Sequence, residues 1–393
     1  MRDGRSRSAK ACCRSRTAST PTAVSCCPPG VNLVSLTERN IANVGDSVAY
    51  RYLDFSRPAG DEAVEVTWNE PRRAHAGGRG PTCSAWRPAV TGSRSWRPPR
   101  ASSTSPASTV RSRPGAIAVP LFAPELPGHA ERLDTALRDS HPPTAVLTTA
   151  AVRDGVEDFL DNRTAEMSRP VVIVIDEIPD SAAGGFQPTT IDVDDVSHLQ
   201  YTGGATRPPV GVEITHRAVG TNLLQMILSI DLLDRNTHGG VSWLPLYHDM
   251  GLSMIGFPAV YGGHSTLMSP TAFVRRPLRW IEALSAGSRI GRVVTAAPNF
   301  AYQWAAQRGF PTGDSGIDLR NAVMIIGSEP VSIDAIEAFN DAFTPFGLPR
   351  TAFKPSYGLA EATLFVSTIE PADEARVVYL DRQRLAAGHA VAV

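Results

Sequence analysis

The chain has 393 residues, a formal net charge of −1 at pH 7 and 42% hydrophobic residues. That length allows two or three domains with their own cores, and the near-zero charge argues against nucleic acid or an anionic membrane as a partner. No apolar run reaches the roughly 18–20 residues that a membrane span needs. The five cysteines, Cys12, Cys13, Cys26, Cys27 and Cys83, stand in the first quarter, and their adjacent pairs do not match zinc-site spacing. Beyond residue 84 neither a disulfide framework nor a thiol nucleophile is available, which suits a cytoplasmic protein.

Residues 1–35 carry Arg2, Arg5, Arg7, Arg14 and Arg16 among serines and threonines. They are left unassigned: a transit peptide in composition, or residues upstream of the true start. Residues 36–70 begin a folded subdomain, with VEVTWNE (Val64–Glu70) predicting a strand that enters a helix. Residues 71–115 hold nine Arg and no Asp, Glu or Lys, with Pro, Ser, Gly and Trp in no period. Two readings stand for this stretch, a basic disordered linker or translation in a wrong reading frame.

From Ala116 the pattern turns regular. Strands are predicted at Ala116–Phe122, Ala145–Thr148, Pro170–Ile175, Gly211–Thr215, Arg292–Thr295, Ala322–Ile326 and Thr351–Lys354. Helices are predicted at Ala130–Ser140, Ala151–Asp161, His216–Leu233, Pro277–Ala286, Asn299–Arg308 and Ile333–Phe343. Thr215 is placed as an N-cap, with Val219, Leu223, Leu224 and Ile227 as the apolar stripe behind it. Alternation of this kind predicts an α/β fold with largely parallel sheets flanked by helices, and places chemistry at the carboxyl ends of strands.

Four segments fit that placement. YTGGATRPPVGV (Tyr201–Val212) is rich in Gly, Thr and Pro; its glycines free backbone N–H groups to face a phosphate, and Arg207 and the threonines add donors. It lacks Walker A spacing, and an ordinary hairpin turn would read the same way. WLPLYHDMG (Trp243–Gly251) sets His248 and Asp249 beside aromatics, where His248 is either a structural hydrogen-bonder or a working group. IGSEP (Ile326–Pro330) follows a strand. In KPSYGLAEA (Lys354–Ala362) a tyrosine could stack on a base and Glu361 could hold Mg²⁺, or stand as an exposed helix acid.

In this order, these segments resemble the adenylate-forming superfamily, and its fatty acyl-AMP ligase branch most closely. YTGGATRPPVGVEITH, SWLPLYHDMGL, TAAPNFAY, IIGSEPV, KPSYGLAEAT and PLFAPE carry the resemblance over about Ala116–Val393. Residues 116–393 therefore read as a partial AMP-binding domain, the N-terminal domain of an adenylate-forming enzyme. ARVVYLDRQRLAAG (Ala375–Gly388) looks like the start of the insertion that sets this branch apart. The resemblance implies that a fatty acid is activated by ATP and Mg²⁺ to an acyl-adenylate, with pyrophosphate released. The acyl group would then pass to an acyl carrier domain of a polyketide synthase.

By the same resemblance, Thr202, Gly203, Gly204, Thr206 and Arg207 would cradle the β- and γ-phosphates. Gly327, Ser328 and Glu329 would border the adenine, and Ser356, Tyr357 and Gly358 would contact adenine and α-phosphate. Glu361 would hold magnesium and His248 would lie beside the acyl carboxylate. Asn299, Phe300, Met254 and Ile255 would line the acyl tunnel, although Met254 and Ile255 also read as core. Two departures bear on activity. Gly203 and Ala205 stand where the family usually has Ser, and the small C-terminal domain that brings a Lys to the α-phosphate in the family is read as absent from this chain. An inactive remnant and a CoA-forming ligase are the competing readings; Arg207 and the tail count against the second.

Overall fold

The computed structural model describes residues 32–55, 62–69, 90–95, 116–124, 129–140, 145–163, 169–178, 191–201, 209–233, 237–311 and 315–393. Helices are numbered α1 (Leu33–Val44), α2 (His129–Asp139), α3 (Arg153–Asp161), α4 (His216–Ser229), α5 (Asp249–Tyr261), α6 (Pro270–Arg275), α7 (Leu278–Ile290), α8 (Asn299–Arg308), α9 (Ile333–Phe343) and α10 (Arg382–Ala386). Strands are β1 (Val48–Asp54), β2 (Glu62–Thr67), β3 (Val90–Ser95), β4 (Ala116–Leu121), β5 (Ala145–Thr148), β6 (Val171–Val174) and β7 (Val196–Tyr201). They continue as β8 (Gly211–Thr215), β9 (Thr237–Ser242), β10 (His264–Met268), β11 (Arg292–Ala297), β12 (Ala322–Ile326), β13 (Phe353–Gly358) and β14 (Phe365–Thr368).

Local chemistry sets many of the helix starts. Thr215 accepts from Ala218 N, Ser269 from Ala272 N and Ser332 from Ala335 N, each pairing an amide that the first turn leaves open. Asn32 and Ser35 cap α1 reciprocally, so ordered helix begins within the stretch left unassigned by sequence.

The strands form two sheets. The larger has the order β14-β13-β12-β11-β9-β10-β1-β2. Its six inner strands run parallel, and β2 and β14 close the edges antiparallel. The smaller, β6-β5-β3-β4-β7-β8, is mixed, so the expectation of largely parallel strands holds only for the larger sheet. Of the stretch 71–115 the described residues are Val90–Ser95, strand β3, which pairs antiparallel with β4 on one side and β5 on the other. It fills the place between two strands that would otherwise each present an unpaired edge.

Period-2 alternation feeds two cores from the larger sheet. Val293, Met324 and Ile326 point into an aromatic core under α7, α8 and α9; Val294 and Val323 point to the other face, against α4 and α5. In the aromatic core Trp243 stacks on Phe273 with centroids 4.1 Å apart. Trp280 lies edge-on to Phe273 and donates its indole N–H to Thr295 Oγ1 at 3.1 Å. The smaller sheet packs an aliphatic core of Ile117, Val119, Leu121, Leu133, Leu137, Val146, Val156, Leu160 and Leu199 against α2 and α3. No helix among the described residues is long and apolar enough to cross a membrane.

Candidate active site

A cavity of about 670 Å³ opens between the two sheets, at the carboxyl ends of β11, β12 and β13. That is where an open parallel sheet places ligands. Among the residues singled out by sequence, His248, Gly327, Ser328, Ser356, Tyr357, Gly358 and Glu361 line it. Segments more than a hundred residues apart in sequence thus converge on one space.

Gly327 and Gly358 are there because nothing larger fits. A Cβ on Gly327 would meet the Ser356 carbonyl oxygen at 2.6 Å, and one on Gly358 would meet the Leu364 carbonyl oxygen at 1.9 Å. Ser328 follows in the left-handed region at φ 67°, uncommon for a side-chain-bearing residue, with its hydroxyl 3.5 Å from Met250 Sδ. Tyr357 is 62% exposed on the cavity wall, and an aromatic ring there can stack on a planar partner. The Ser356 hydroxyl is engaged internally, 3.0 Å from the Lys354 carbonyl and 3.0 Å from Thr368 Oγ1.

His248 is the N-cap of α5, and its Nδ1 lies 2.7 Å from Asp249 Oδ1. The Met250 amide also points this way, at 2.7 Å from Asp249 Oδ1 and 3.3 Å from His248 Nδ1. Both shorter contacts are met if Nδ1–H donates to the carboxylate, which leaves Nε2 as the basic nitrogen. The hydrogen bond to Asp249 raises the imidazole pKa above its ordinary value, and burial opposes that shift. From the smaller sheet, Gln200 donates Nε2 to the Tyr247 carbonyl at 3.0 Å and so pins the His248 segment across the gap.

Thr202, Gly203, Gly204, Thr206 and Arg207 lie outside the described residues; the stem of their loop does not. Tyr201 pairs with Gly211 in the antiparallel β7–β8 hairpin, so the loop is a hairpin connection, and Tyr201 and Pro209 line the cavity at its two ends. The Tyr201 hydroxyl reaches the Ala136 carbonyl and Asp139 Oδ2, both at 2.9 Å.

Five expected site residues stand off the cavity lining. Glu329 accepts the Asn299 amide at 2.8 Å, so its carboxylate caps α8, where the helix end favours negative charge. Asn299 is spent in the same way, donating to the Pro330 carbonyl at 2.9 Å and accepting from Ser332 N at 2.9 Å. Phe300 is half-exposed and lies edge-on to Trp243. Met254 is fully buried in the core under α5, as its alternative reading had it, and the Ile255 carbonyl accepts from Tyr50 Oη at 2.9 Å.

The apolar wall is made instead by Met226 and Ile230 at the end of α4, Ser253 and Phe257 on α5, Ala296, Ile325, Leu364 and Phe365. Asn222 holds part of it in place by exchanging two hydrogen bonds with the Phe365 backbone, at 2.8 and 2.9 Å. Sequence reasoning missed this wall because Met226 and Phe257 read as core. Arg132, Gln200 and Tyr247 were missed as well. Lys354 is buried and gives its ammonium to the carbonyls of Glu370, Pro371 and Asp373 at 3.1, 2.8 and 3.1 Å; burial lowers its pKa. It anchors the following segment.

Glu361 is exposed on the cavity wall, and no group of three or more His, Cys, Asp and Glu side chains gathers there among the described residues. A lone carboxylate fits magnesium, which keeps water and phosphate oxygens as most of its ligands.

The AMP-binding enzyme model matches residues 112–387. The chain is 41% identical over 373 residues to the long-chain-fatty-acid–AMP ligase FadD32 of Mycolicibacterium smegmatis, covering 93% of this chain and 58% of that protein. It is 34% identical over 366 residues to the 4-hydroxyphenylalkanoate adenylyltransferase of Mycobacterium tuberculosis, covering 91% of this chain and 58% of that protein. It thus spans somewhat over half the length of the curated relatives it matches. Among solved structures, a fatty acyl-adenylate ligase from L. pneumophila in complex with acyl adenylate and pyrophosphate aligns with a TM-score of 0.70 at 26% identity, covering 89% of this chain and 59% of that one. With the family model matching well over half of its residues, the chain belongs to the AMP-binding enzymes.

Proposed function

We propose that this chain carries the nucleotide and acyl sites of a fatty acyl-AMP ligase, acting in the cytoplasm. The observation that carries the reading is the single cavity in which an apolar wall, Met226 to Phe257, meets His248 and the polar rim Gly327–Ser328 and Ser356–Glu361. A fatty carboxylate and a nucleotide need those two surfaces side by side.

In the reaction a carboxylate oxygen attacks the α-phosphorus of ATP, the bond to the bridging oxygen breaks, and pyrophosphate leaves. Catalysis of such a step is mostly alignment and stabilisation of charge. The adenine stacks on Tyr357 and packs against the backbone at Gly327 and Gly358, where the lack of a side chain allows close approach. His248, held by Asp249, places an N–H donor or a lone pair beside the carboxylate. The loop 202–208, with Thr202, Thr206 and Arg207, takes the leaving phosphates. Glu361 would hold Mg²⁺, which supplies positive charge to the phosphates when bound. The phosphopantetheine thiol of an acyl carrier domain of a polyketide synthase then attacks the acyl carbonyl, giving up its proton and forming a thioester as the acyl–phosphate bond breaks and AMP leaves.

The test is to incubate the protein with dodecanoate, ATP and Mg²⁺, with and without CoA, and to follow acyl-AMP and acyl-CoA by mass spectrometry. In parallel, binding of dodecanoyl-sulfamoyladenosine, an acyl-adenylate mimic, is measured by titration. Tight binding of the mimic and no acyl-CoA support the reading. Acyl-CoA formation would favour a CoA ligase, and failure to bind the mimic would leave an inactive remnant.

A further inference from the structure

We propose that Arg132 is a binding residue for the pyrophosphoryl group of the nucleotide. The inference rests on the adenylation reading. Arg132 stands in the first turn of α2 and lines the cavity, the one arginine or lysine to do so among the described residues, with the His248 imidazole as the other basic group. The charged side chains that share the lining, Asp249 and Glu361, are acidic. A triphosphate cannot settle in such a space without positive charge near its outer phosphates.

Position points to those outer phosphates. One turn along the same helix face, the Ala136 carbonyl receives the Tyr201 hydroxyl, and Tyr201 is the residue from which loop 202–208 departs. Arg132 and the loop stem Tyr201 are therefore braced on one helix. Its guanidinium is also uncommitted: no carboxylate pairs with it among the described residues. Its neighbours are aromatic, with Cζ 6.0 Å from the Phe122 ring centroid and Phe122 edge-on to Tyr247 at 5.5 Å. An arginine resting on rings keeps its five donors available, in a planar fork that matches two phosphate oxygens at once.

The experiment titrates AMP, Mg-pyrophosphate and Mg-ATP into the full chain, as wild type, Arg132→Gln and Arg132→Lys. Loss of a charge-assisted contact weakens binding by roughly tenfold to a hundredfold. Arg132→Gln is expected to lose that much for pyrophosphate and ATP while keeping AMP affinity, and Arg132→Lys to recover part of the loss. AMP binding reports that the variant is folded. Equal affinities of wild type and Arg132→Gln for all three ligands would overturn the proposal. So would an equal loss for AMP, which would place Arg132 at the α-phosphate or in the fold. A wild type that binds none of them sinks the adenylation reading itself, and this inference with it.

Discussion

The two sheets reach the same cavity by different means. The larger carries on one face a core of aromatic rings, Trp243, Phe273, Trp280, Tyr302, Phe339, Phe343 and Phe353, in stacked, tilted and edge-to-face contact. The smaller is held by branched aliphatic side chains, with Phe122, Phe159 and Tyr201 only partly buried at its margin. The first carries Gly327 and Ser356–Gly358 on strand ends; the second carries the hairpin loop and Arg132. Large rigid rings define position better than interchangeable aliphatic groups, so the β12–β13 side of the cavity should be the stiffer half.

That contrast can be broken first at its centre. Trp280→Ala removes a fully buried indole and its hydrogen bond to Thr295, and is expected to cost about 3–5 kcal/mol. Leu133→Ala, fully buried in the smaller core, should cost about 2–5 kcal/mol, nearer the lower end where the site can collapse. Urea unfolding of both variants makes the check. A larger loss at Leu133 would reverse the ranking of the two cores.

Much of the larger sheet was legible in sequence. The strand Ala322–Ile326 and the helices Asn299–Arg308 and Ile333–Phe343 lie where apolar period and capping residues place them. Strand β9 was not legible, because THGGVS has little strand propensity. Its glycines answer to packing: a Cβ on Gly239 would fall 2.0 Å from the His264 carbonyl oxygen. Helix α5 carries Pro258 and buries most of its surface, so it shows no amphipathic stripe. The β12 and β13 motifs reach the cavity at Gly327 and Gly358, where a Cβ would strike a neighbouring carbonyl. Glu329 and Asn299 hold each other's loops through hydrogen bonds at the start of α8, a use that a sequence motif does not distinguish from ligand contact.

Next in size is Lys354, which ties the end of the larger sheet to the tail. Lys354→Met leaves three carbonyls without their donor and should cost about 1–3 kcal/mol, read from the urea midpoint. An unchanged midpoint would mean that water replaces the ammonium there.

Protons act on both sheets. Burial, first of all, lowers His198 of the smaller sheet and His264 of the larger to about 4. A depressed histidine binds its proton more readily in the unfolded chain. Each therefore drains stability, on the order of 2–3 kcal/mol, as pH falls from about 6.5 towards 4. His248 has the opposite sign. Its raised pKa gives stability fully present below about 6.5 and lost as pH rises through the folded value. Its side chain is 48% exposed, so its contribution is the smaller. Unfolding midpoints from pH 8 to 4 should fall steeply on the acid side, and a flat profile would contradict both buried histidines.

The smallest expected effect is at Ser328. Ser328→Gly relieves a left-handed backbone and should stabilise the fold by about 1 kcal/mol, seen as a raised midpoint.

The account turns on the cavity between the sheets being the acyl-adenylate site. Hydrogen exchange measured with and without dodecanoyl-sulfamoyladenosine tests this most directly. Protection is expected at Met226–Ile230, Tyr247–Phe257, Gly327–Ser328 and Ser356–Glu361 together, with the aromatic core unchanged. Protection confined to other segments, or none at saturating ligand, would contradict it.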